Sequence, residues 1–367
     1  MTATTGPAHY ADQQAWKDLQ EFLPTRLRLN AQTAPTEEFW NWRGHDIHLD
    51  RYRNPDAPAR VILLHGVGTN GRQMSLILGA PLARHGFDVV AVDNLGFGLT
   101  RVRDGYAPSY GDWVDLATDV LATEQARDPK PTFLFGLSAG GLLTYHVAAR
   151  APRGSVRGII GTTFLDQRVQ SVADTTAHDI VTARLGPPAM ALAAKTPLRG
   201  LRYSMRLAAK MSALVNDRGA LAIFLKDKTS AGNAMPLRFL ADYMTFVPDV
   251  EPADFDACPV LHTQPAADRW SPGSCQPRCS RGSPASRSGR LPWTGPATTR
   301  SKTLVCNSSR TPSSRSSPTR CPDHRAGVLT IGHPDRNPTN LASAPSTQAR
   351  RTLSRSNSSG VLVSTRV

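Results

Sequence analysis

The chain has 367 residues, with 43 Lys+Arg against 29 Asp+Glu and a formal net charge of +14, which taken whole reads as a basic protein seeking an acidic partner. The distribution removes that reading: residues 271–367 hold 15 of the bases and only two acids, Asp323 and Asp335, so residues 1–270 are nearly neutral with 28 bases and 27 acids. Four of the five cysteines (Cys275, Cys279, Cys306, Cys321) also fall in the later segment, and Cys258, alone in the body, excludes a disulfide framework or a thiol-rich metal site there.

Residues 1–37 read as an N-terminal helical extension, with a mixed amphipathic stretch over 12–29. The start has no basic stretch leading into an apolar one, and no window approaches 18 consecutive apolar residues, so a soluble, cytoplasmic protein with no membrane span is expected. Glu38 to Trp42 and Ile47 to Tyr52 alternate aromatic and β-branched side chains about Arg43-Gly44, a hairpin signal. The rhythm then changes. Short apolar runs at 61–64, 88–92, 132–135 and 156–162 alternate with helical patterns that reach about Arg84, run from about Tyr110 to Gln125, and span 139–150. Unbroken apolar strands alternating with helices predict a parallel sheet covered on both faces, an α/β fold over residues 38–270. Residues 166–247 break the rhythm, with Ala, Leu and Met at helical spacings, a Gly-Pro-Pro at 186–188 and no obvious strand, and read as a helical cap inserted over the strand tips. Strand character returns at 258–264, with Ala267-Asp268-Arg269 at its carboxyl end.

Three strand ends carry chemistry. Gly136-Leu137-Ser138-Ala139-Gly140 fits G-x-S-x-G between an apolar strand and a helix. A strand that reverses sharply into a helix strains the serine backbone, and the small flanking residues let the two elements approach while Oγ is exposed as a nucleophile. The helix start supplies the Ala139 amide as one donor to developing negative charge. His65-Gly66-Val67-Gly68, after the first parallel strand, is where a second oxyanion donor belongs, the amide of Val67. His65, Gly66, Gly68, Gly136 and Gly140 are expected to line this site. Asp268 follows the last predicted strand, at the end of the sheet where such folds bind ligands, and is the candidate for orienting a catalytic imidazole; Asp166 is the alternative. Asp93-Asn94-Leu95-Gly96-Phe97-Gly98 follows another strand and reads as a structural turn beside the site.

Together HGVG, D-x-x-G-x-G, GLSAG and the strand-terminal Asp268 resemble the α/β-hydrolase superfamily, nearest its lysophospholipase-like and serine-aminopeptidase-like esterases, over about residues 38–270. The resemblance implies a Ser-Asp-His triad in that chain order, an ester or lipid substrate, and neither metal nor cofactor. Serine rather than aspartate at position 138 argues against the dehalogenase and epoxide-hydrolase branches.

The resemblance also implies a Gly-His motif about 30 residues beyond the acid, and residues 297–299 read Ala-Thr-Thr. The segment 271–367 is rich in Ser, Arg, Pro and Thr without hydrophobic period, and is expected to be disordered. A reading-frame slip explains it: pairing the third base of each codon with the first two of the next, residues 295–320 permit AGHYPVEDPGLQQLEDAIVAFLADA. Some letters are chosen among those allowed, but Trp293-Thr294 forces aspartate, and Lys302-Thr303 allows only Asp or Asn. As written, the chain lacks the general base, which leaves a non-catalytic binding protein as the alternative class. Nucleic-acid binding by the basic segment is disfavoured by its few aromatics. Cys275, Cys279, Cys306 and Cys321 with His324 and His333 form no C-x2-C pair and read as chance. His65, His146 and His262 are placed in other elements, and His333, in a Gly-His-Pro, lies 65 residues past Asp268.

Overall fold

The structure is a computed structural model and describes residues 9–265, 267–270 and 291–293. The chain divides into two units, Met1–Arg310 and Thr311–Val367, and every described residue lies in the first.

The expected hairpin forms from β1 (Thr36–Trp42) and β2 (His45–Tyr52). Its turn residues Arg43 and Gly44 both have positive φ, 51° and 79°, as a two-residue connection matching strand twist requires. Preceding it, α1 (Gln14–Leu19) is flanked by 3-10 turns. β3 (Arg60–Leu64) is followed by α2 (Gly71–Met74), a π-helical turn at Ser75–Gly79 and α3 (Ala80–Arg84). β4 (Asp88–Val92), α4 (Tyr110–Arg127), β5 (Thr132–Gly136), α5 (Ala139–Arg150) and β6 (Gly158–Gly161) continue the alternation. The main sheet runs β1-β2-β4-β3-β5-β6 and then into two later strands; β2 is antiparallel to β4 and all pairings from β4 onward are parallel.

Every residue of β3 and β4 is buried, because both faces of the sheet are covered. Val61, Leu63, Val89 and Ala91 pack with Met74 and Leu82 of the α2–α3 stretch. The alternate residues Ile62, Leu64, Val90 and Val92 join the larger core with Trp113 of α4 and Leu143 of α5. This two-faced burial is why these strands read as continuous apolar runs.

Between β6 and the next sheet strand lie α6 (Gln170–Thr176), α7 (Ile180–Ala194), α8 (Met205–Ala208), α9 (Arg218–Lys226) and α10 (Leu237–Thr245). One finding departs from the sequence reading of 166–247: β7 (Arg202–Ser204) and β8 (Ala234–Pro236) pair antiparallel and are too short to show a period of two. Pro187 and Pro188 lie inside α7. β9 (Val260–Pro265) then rejoins the sheet beside β6, and β10 (Leu291–Trp293) pairs parallel with β9. β10 is a three-residue edge strand within the segment expected to be disordered. At a sheet edge, Pro292 is tolerated because one side of the strand needs no ladder donor. The rest of the segment expected to be disordered lies outside the described residues, as do the frame-slip motif, His324 and His333.

Candidate active site

β5 leaves the sheet at Gly136 and enters α5 within two residues, which is possible only with strained backbone and missing side chains. Ser138 sits at φ 57°, ψ −121°, one of two non-glycine positive φ values among the described residues. Such a conformation costs roughly 1–3 kcal/mol and persists only where its surroundings enforce it. Here Leu137 N–H donates to Leu64 O (3.1 Å), tying the elbow to the end of β3, and Gly140 and Gly141 N–H donate to Leu137 O (2.9 Å) and Ser138 O (2.8 Å). A Cβ on Gly136 would overlap the Gly140 carbonyl, and one on Gly140 would overlap that of Leu64, so neither position accepts a larger residue without moving backbone. The Ala139 amide is left as the first-turn donor that no backbone carbonyl among the described residues takes.

The loop after β3 lies against this elbow: a Cβ on Gly66 would stand 2.6 Å from Leu137 O and 2.9 Å from Ser138 Cβ. The Gly66 carbonyl is held by Thr69 Oγ1 (2.9 Å), Thr69 N–H (3.4 Å) and the His65 ring at Nδ1 (2.7 Å). His65 is wholly buried between Phe97 and Trp113, and its Nε2 accepts the Asn94 N–H at 3.0 Å. That bond assigns the proton to Nδ1, which therefore donates to Gly66 O, and burial lowers the imidazole pKa so the ring is neutral. His65 thus sits beneath the loop as a brace between two strand ends, while Val67 and Ser138 face the cleft. Gly68, at φ 81°, packs under Met211.

The cleft spans about 600 Å³ of space between its walls, a volume that includes open solvent. Its walls are largely apolar, with Leu165, Met190, Met205, Leu240, Met244 and Trp270, and a few polar groups, Gln167, Thr176 and Tyr243. Gln167 Nε2 donates to the Tyr243 hydroxyl at 3.3 Å, and burial holds the Tyr243 pKa up at about 12. Apart from Val67 and Ser138 the sequence reading named none of these wall residues. The helical spacing in 166–247 signalled apolar faces but could not say which of them turn towards Ser138.

Asp268 is half-buried after β9, accepting Gln264 Nε2 (2.8 Å) and the Trp270 N–H (2.8 Å). It therefore fixes the backbone of the residue whose ring forms one wall of the cleft. Asp166, the alternative, is buried in an ion pair with Arg168 (Oδ2 to Nη2, 2.9 Å), and Arg168 also pairs with Glu251 (2.7 Å). Of the remaining histidines, His146 lies in a second, smaller cleft with Asp166 and Arg168, and burial lowers its pKa to about 4. His262 is buried in β9 beside Phe164. No histidine among the described residues lines the cleft with Ser138.

Behind the site lies a buried charge network that sequence reading missed. Asp93 accepts from Tyr10 OH (2.8 Å), Gly71 N–H (2.6 Å) and Leu99 N–H (2.8 Å), and pairs with His48 Nδ1 (2.9 Å). This holds the 93–98 turn whose Asn94 braces His65. Arg72 grips Asp50 through two bonds (2.7 and 2.8 Å) and Glu37 through one (2.8 Å), and His48 Nε2 meets Glu37 at 3.1 Å. Burial alone would push His48 down, but Asp93, Glu37 and Asp50 raise it to about 10; burial likewise opposes Glu37 ionisation, and His48 and Arg72 bring it down to about 2. Ligand atoms of Glu37, His48 and Asp50 lie within 4.8 Å of one another, a spacing a metal could use, but the Arg72 guanidinium already supplies the cation.

A family model, serine aminopeptidase S33 (Hydrolase_4), matches residues 55–281, more than half of the chain. Lipase LipV of Mycobacterium tuberculosis is 32% identical over 111 residues, 29% of this chain; the match spans only 38% of LipV. Among solved structures, a soluble variant of monoglyceride lipase from Saccharomyces cerevisiae, in complex with a substrate analog, superposes with a TM-score of 0.57 at 18% identity, covering 73% of this chain and 89% of that one. Paleococcus ferrophilus monoacylglycerol lipase gives 0.52 at 17% identity, over 68% and 89%. These two likenesses speak for the fold, a mostly parallel sheet with covering helices, and the family match speaks for descent. The chain belongs to the serine aminopeptidase S33 family and has the α/β-hydrolase fold.

Proposed function

We propose that this chain carries the machinery of a serine-dependent carboxylic ester hydrolase, with Ser138 as nucleophile and lipid or lysophospholipid-like esters as substrates. The observation that carries the reading is Ser138 held at φ 57° in the wall of a largely apolar cleft. The names of the relatives, lipases, support the same class. In this reading Oγ attacks the acyl carbonyl and a tetrahedral oxyanion forms. The alcohol leaves with a proton, and water then releases the acid from the acyl-enzyme. The Ala139 and Val67 amides are the oxyanion donors. The second assignment is supported by the Gly66 peptide: its carbonyl is held towards His65 and Thr69, so the Val67 N–H, on the opposite edge of the same trans unit, points away from them. Asp268 is the proposed acid, since Asp166 is engaged by Arg168. Residues 166–247 are the proposed cap, and side chains and water suffice for the reaction.

The base is the missing part, and the absence of a cleft histidine among the described residues favours a second reading of the chain as written, a binding protein with little turnover. We attribute the gap to a frame slip beyond about residue 270, which displaces a Gly-His motif from the encoded chain. Loss of the triad histidine costs on the order of 10⁶-fold in rate. The test compares fluorophosphonate labelling of the chain as written with a chain continued in the alternative frame, with Ser138→Ala as the blank. Fast labelling only in the repaired chain is expected. Equal rates would overturn the frame account, and no labelling of either would overturn the hydrolase reading. Sequencing the DNA for residues 270–323 decides independently, because stop codons throughout the alternative frame are incompatible with a slip.

A further inference from the structure

Methionine is concentrated around the cleft. Of the seven in the chain, Met190, Met205 and Met244 line it. Two more press on neighbouring loops: Met211 Sδ lies 2.7 Å from where a Cβ on Gly68 would stand, and Met235 Sδ 2.9 Å from one on Gly96. Met74 packs elsewhere, with Val61 and Leu63, and Met1 lies outside the described residues. A flexible, polarisable thioether fills irregular gaps, and this accounts for Met205, Met211 and Met235, which are 2%, 1% and 0% exposed. Met190 on α7 and Met244 on α10 differ, because both are only partly buried and both face the space that Ser138 also lines. Packing at such positions asks only for an apolar side chain, which leucine would supply as well. What methionine adds there is a reactive sulfur within reach of solvent.

We infer that Met190 and Met244 form a peroxide-sensitive modification site that controls what the cleft can hold. The thioether sulfur attacks one oxygen of hydrogen peroxide, an S=O bond forms as the O–O bond breaks, and the other oxygen leaves as water with both protons. Sulfur is oxidised by two electrons and peroxide is reduced. Each product is a polar, chiral sulfoxide where an apolar wall stood, and the two come from different helices, α7 and α10. An apolar ligand seated between them then covers S=O dipoles that water had solvated, so it is released. The elbow and the loop after β3 are built from buried residues and keep their shape, so the modification acts on the occupancy of the cleft rather than on Ser138. The inference rests on the reading of the cleft as the place of an apolar ester, and adds a control on that same site.

The test treats the full chain with graded hydrogen peroxide, quenches it, and divides each sample between peptide mass spectrometry and titration with the neutral apolar dye Nile red. Met190 and Met244 should each gain an oxygen before Met74, Met205, Met211 or Met235 does. The dye should then bind at least about tenfold more weakly, as a polar group covered without a partner requires. Met190→Leu/Met244→Leu keeps the volume of the walls and should bind the dye equally before and after peroxide. The thermal melt of the treated wild type should stay where it was. Oxidation that reaches the buried methionines first, sulfoxides at 190 and 244 with unchanged binding, or an equal loss in the leucine variant each overturn the proposal. So does a melt that falls with the binding, or an untreated chain that takes up no dye. Neither readout needs turnover, so failure here is distinct from failure of Ser138 as nucleophile, which fluorophosphonate labelling reports.

Discussion

Arg72→Met tests the buried network most directly. The Arg72 side chain is 8% exposed and neutralises Asp50, wholly buried, and Glu37, 10% exposed, through three bonds of 2.7–2.8 Å. Methionine keeps much of the volume but leaves two carboxylates facing each other with only His48, 3.1 Å from Glu37 and 3.8 Å from Asp50, as counter-charge. Removing one partner of a buried pair costs about 3–5 kcal/mol, and because His48 offsets part of the loss the expected cost is about 3–4 kcal/mol. At roughly 2–4 °C per kcal/mol for a body of this size, the melt should fall by about 6–16 °C at pH 7. The pH response carries the sharper signature. In the wild type Glu37 titrates below its ordinary range, so its contribution is complete above pH 4.5 and is lost as the pH falls further. In the variant burial, no longer offset by Arg72, favours the protonated form of Glu37 in the fold, so between pH 4.5 and about pH 3 the variant should lose less stability than the wild type. Glu37→Gln added to Arg72→Met should recover part of the loss. A cost under about 1 kcal/mol, or an unchanged pH slope, would refute the view that Arg72 holds these acids together.

Wild-type stability should itself show a window set by the same groups. His48 is raised from 6.5 to about 10, so its contribution is complete below pH 6.5 and is lost as the pH rises through 10; Glu37 is lowered from 4.5 to about 2, so its contribution is complete above pH 4.5 and is lost as the pH falls through 2. Urea unfolding should therefore show the network strongest near pH 4.5–6.5, with His48→Gln removing the alkaline limb; an alkaline limb that persists in the variant would assign it elsewhere. Ser138→Gly should stabilise the fold by about 1 kcal/mol, relief of the positive φ exceeding the entropy cost of glycine, and should abolish fluorophosphonate labelling. Destabilisation by this change would show that the elbow is not strained.

The sheet and the elbow were legible because their causes are local. β3, β4 and β5 are written in consecutive apolar letters, and the glycines at 136 and 140 are demanded by a carbonyl a few residues away or on the adjoining strand end. The charge network was not legible because its partners are scattered. Tyr10 and Asp93 are separated by 83 residues, and Arg72 and Glu37 by 35, and nothing in either neighbourhood marks the polar letters as buried. His65 was readable as a member of the site segment but not as a brace, since that role depends on Asn94 meeting its Nε2. The cleft walls were hidden for the same reason: Met190, Met205 and Tyr243 come from three different helical or turn segments, and only their convergence makes an apolar space.

What this division implies for the chain as written is that its strained and its complete parts coincide. Ser138, Val67, Asp268 and the cleft walls all derive from residues before 271, and the contacts that enforce the elbow, from Leu64, Leu137, Gly140 and Gly141, are equally early. The strain at Ser138 therefore does not depend on the residues after 270 and would be present whichever frame supplies them. A turn of this shape could be made at lower energy with glycine at position 138, so the packing of β5 against α5 does not itself require a serine there, which is consistent with the proposed role of its hydroxyl. On the proposed reading, with a base that hydroxyl is the nucleophile in the wall of an apolar cleft. Without one, the elbow and the cleft walls are still built by the same residues, which is why labelling kinetics at Ser138, and not stability, separate the proposed ester hydrolase from a protein that only retains its shape.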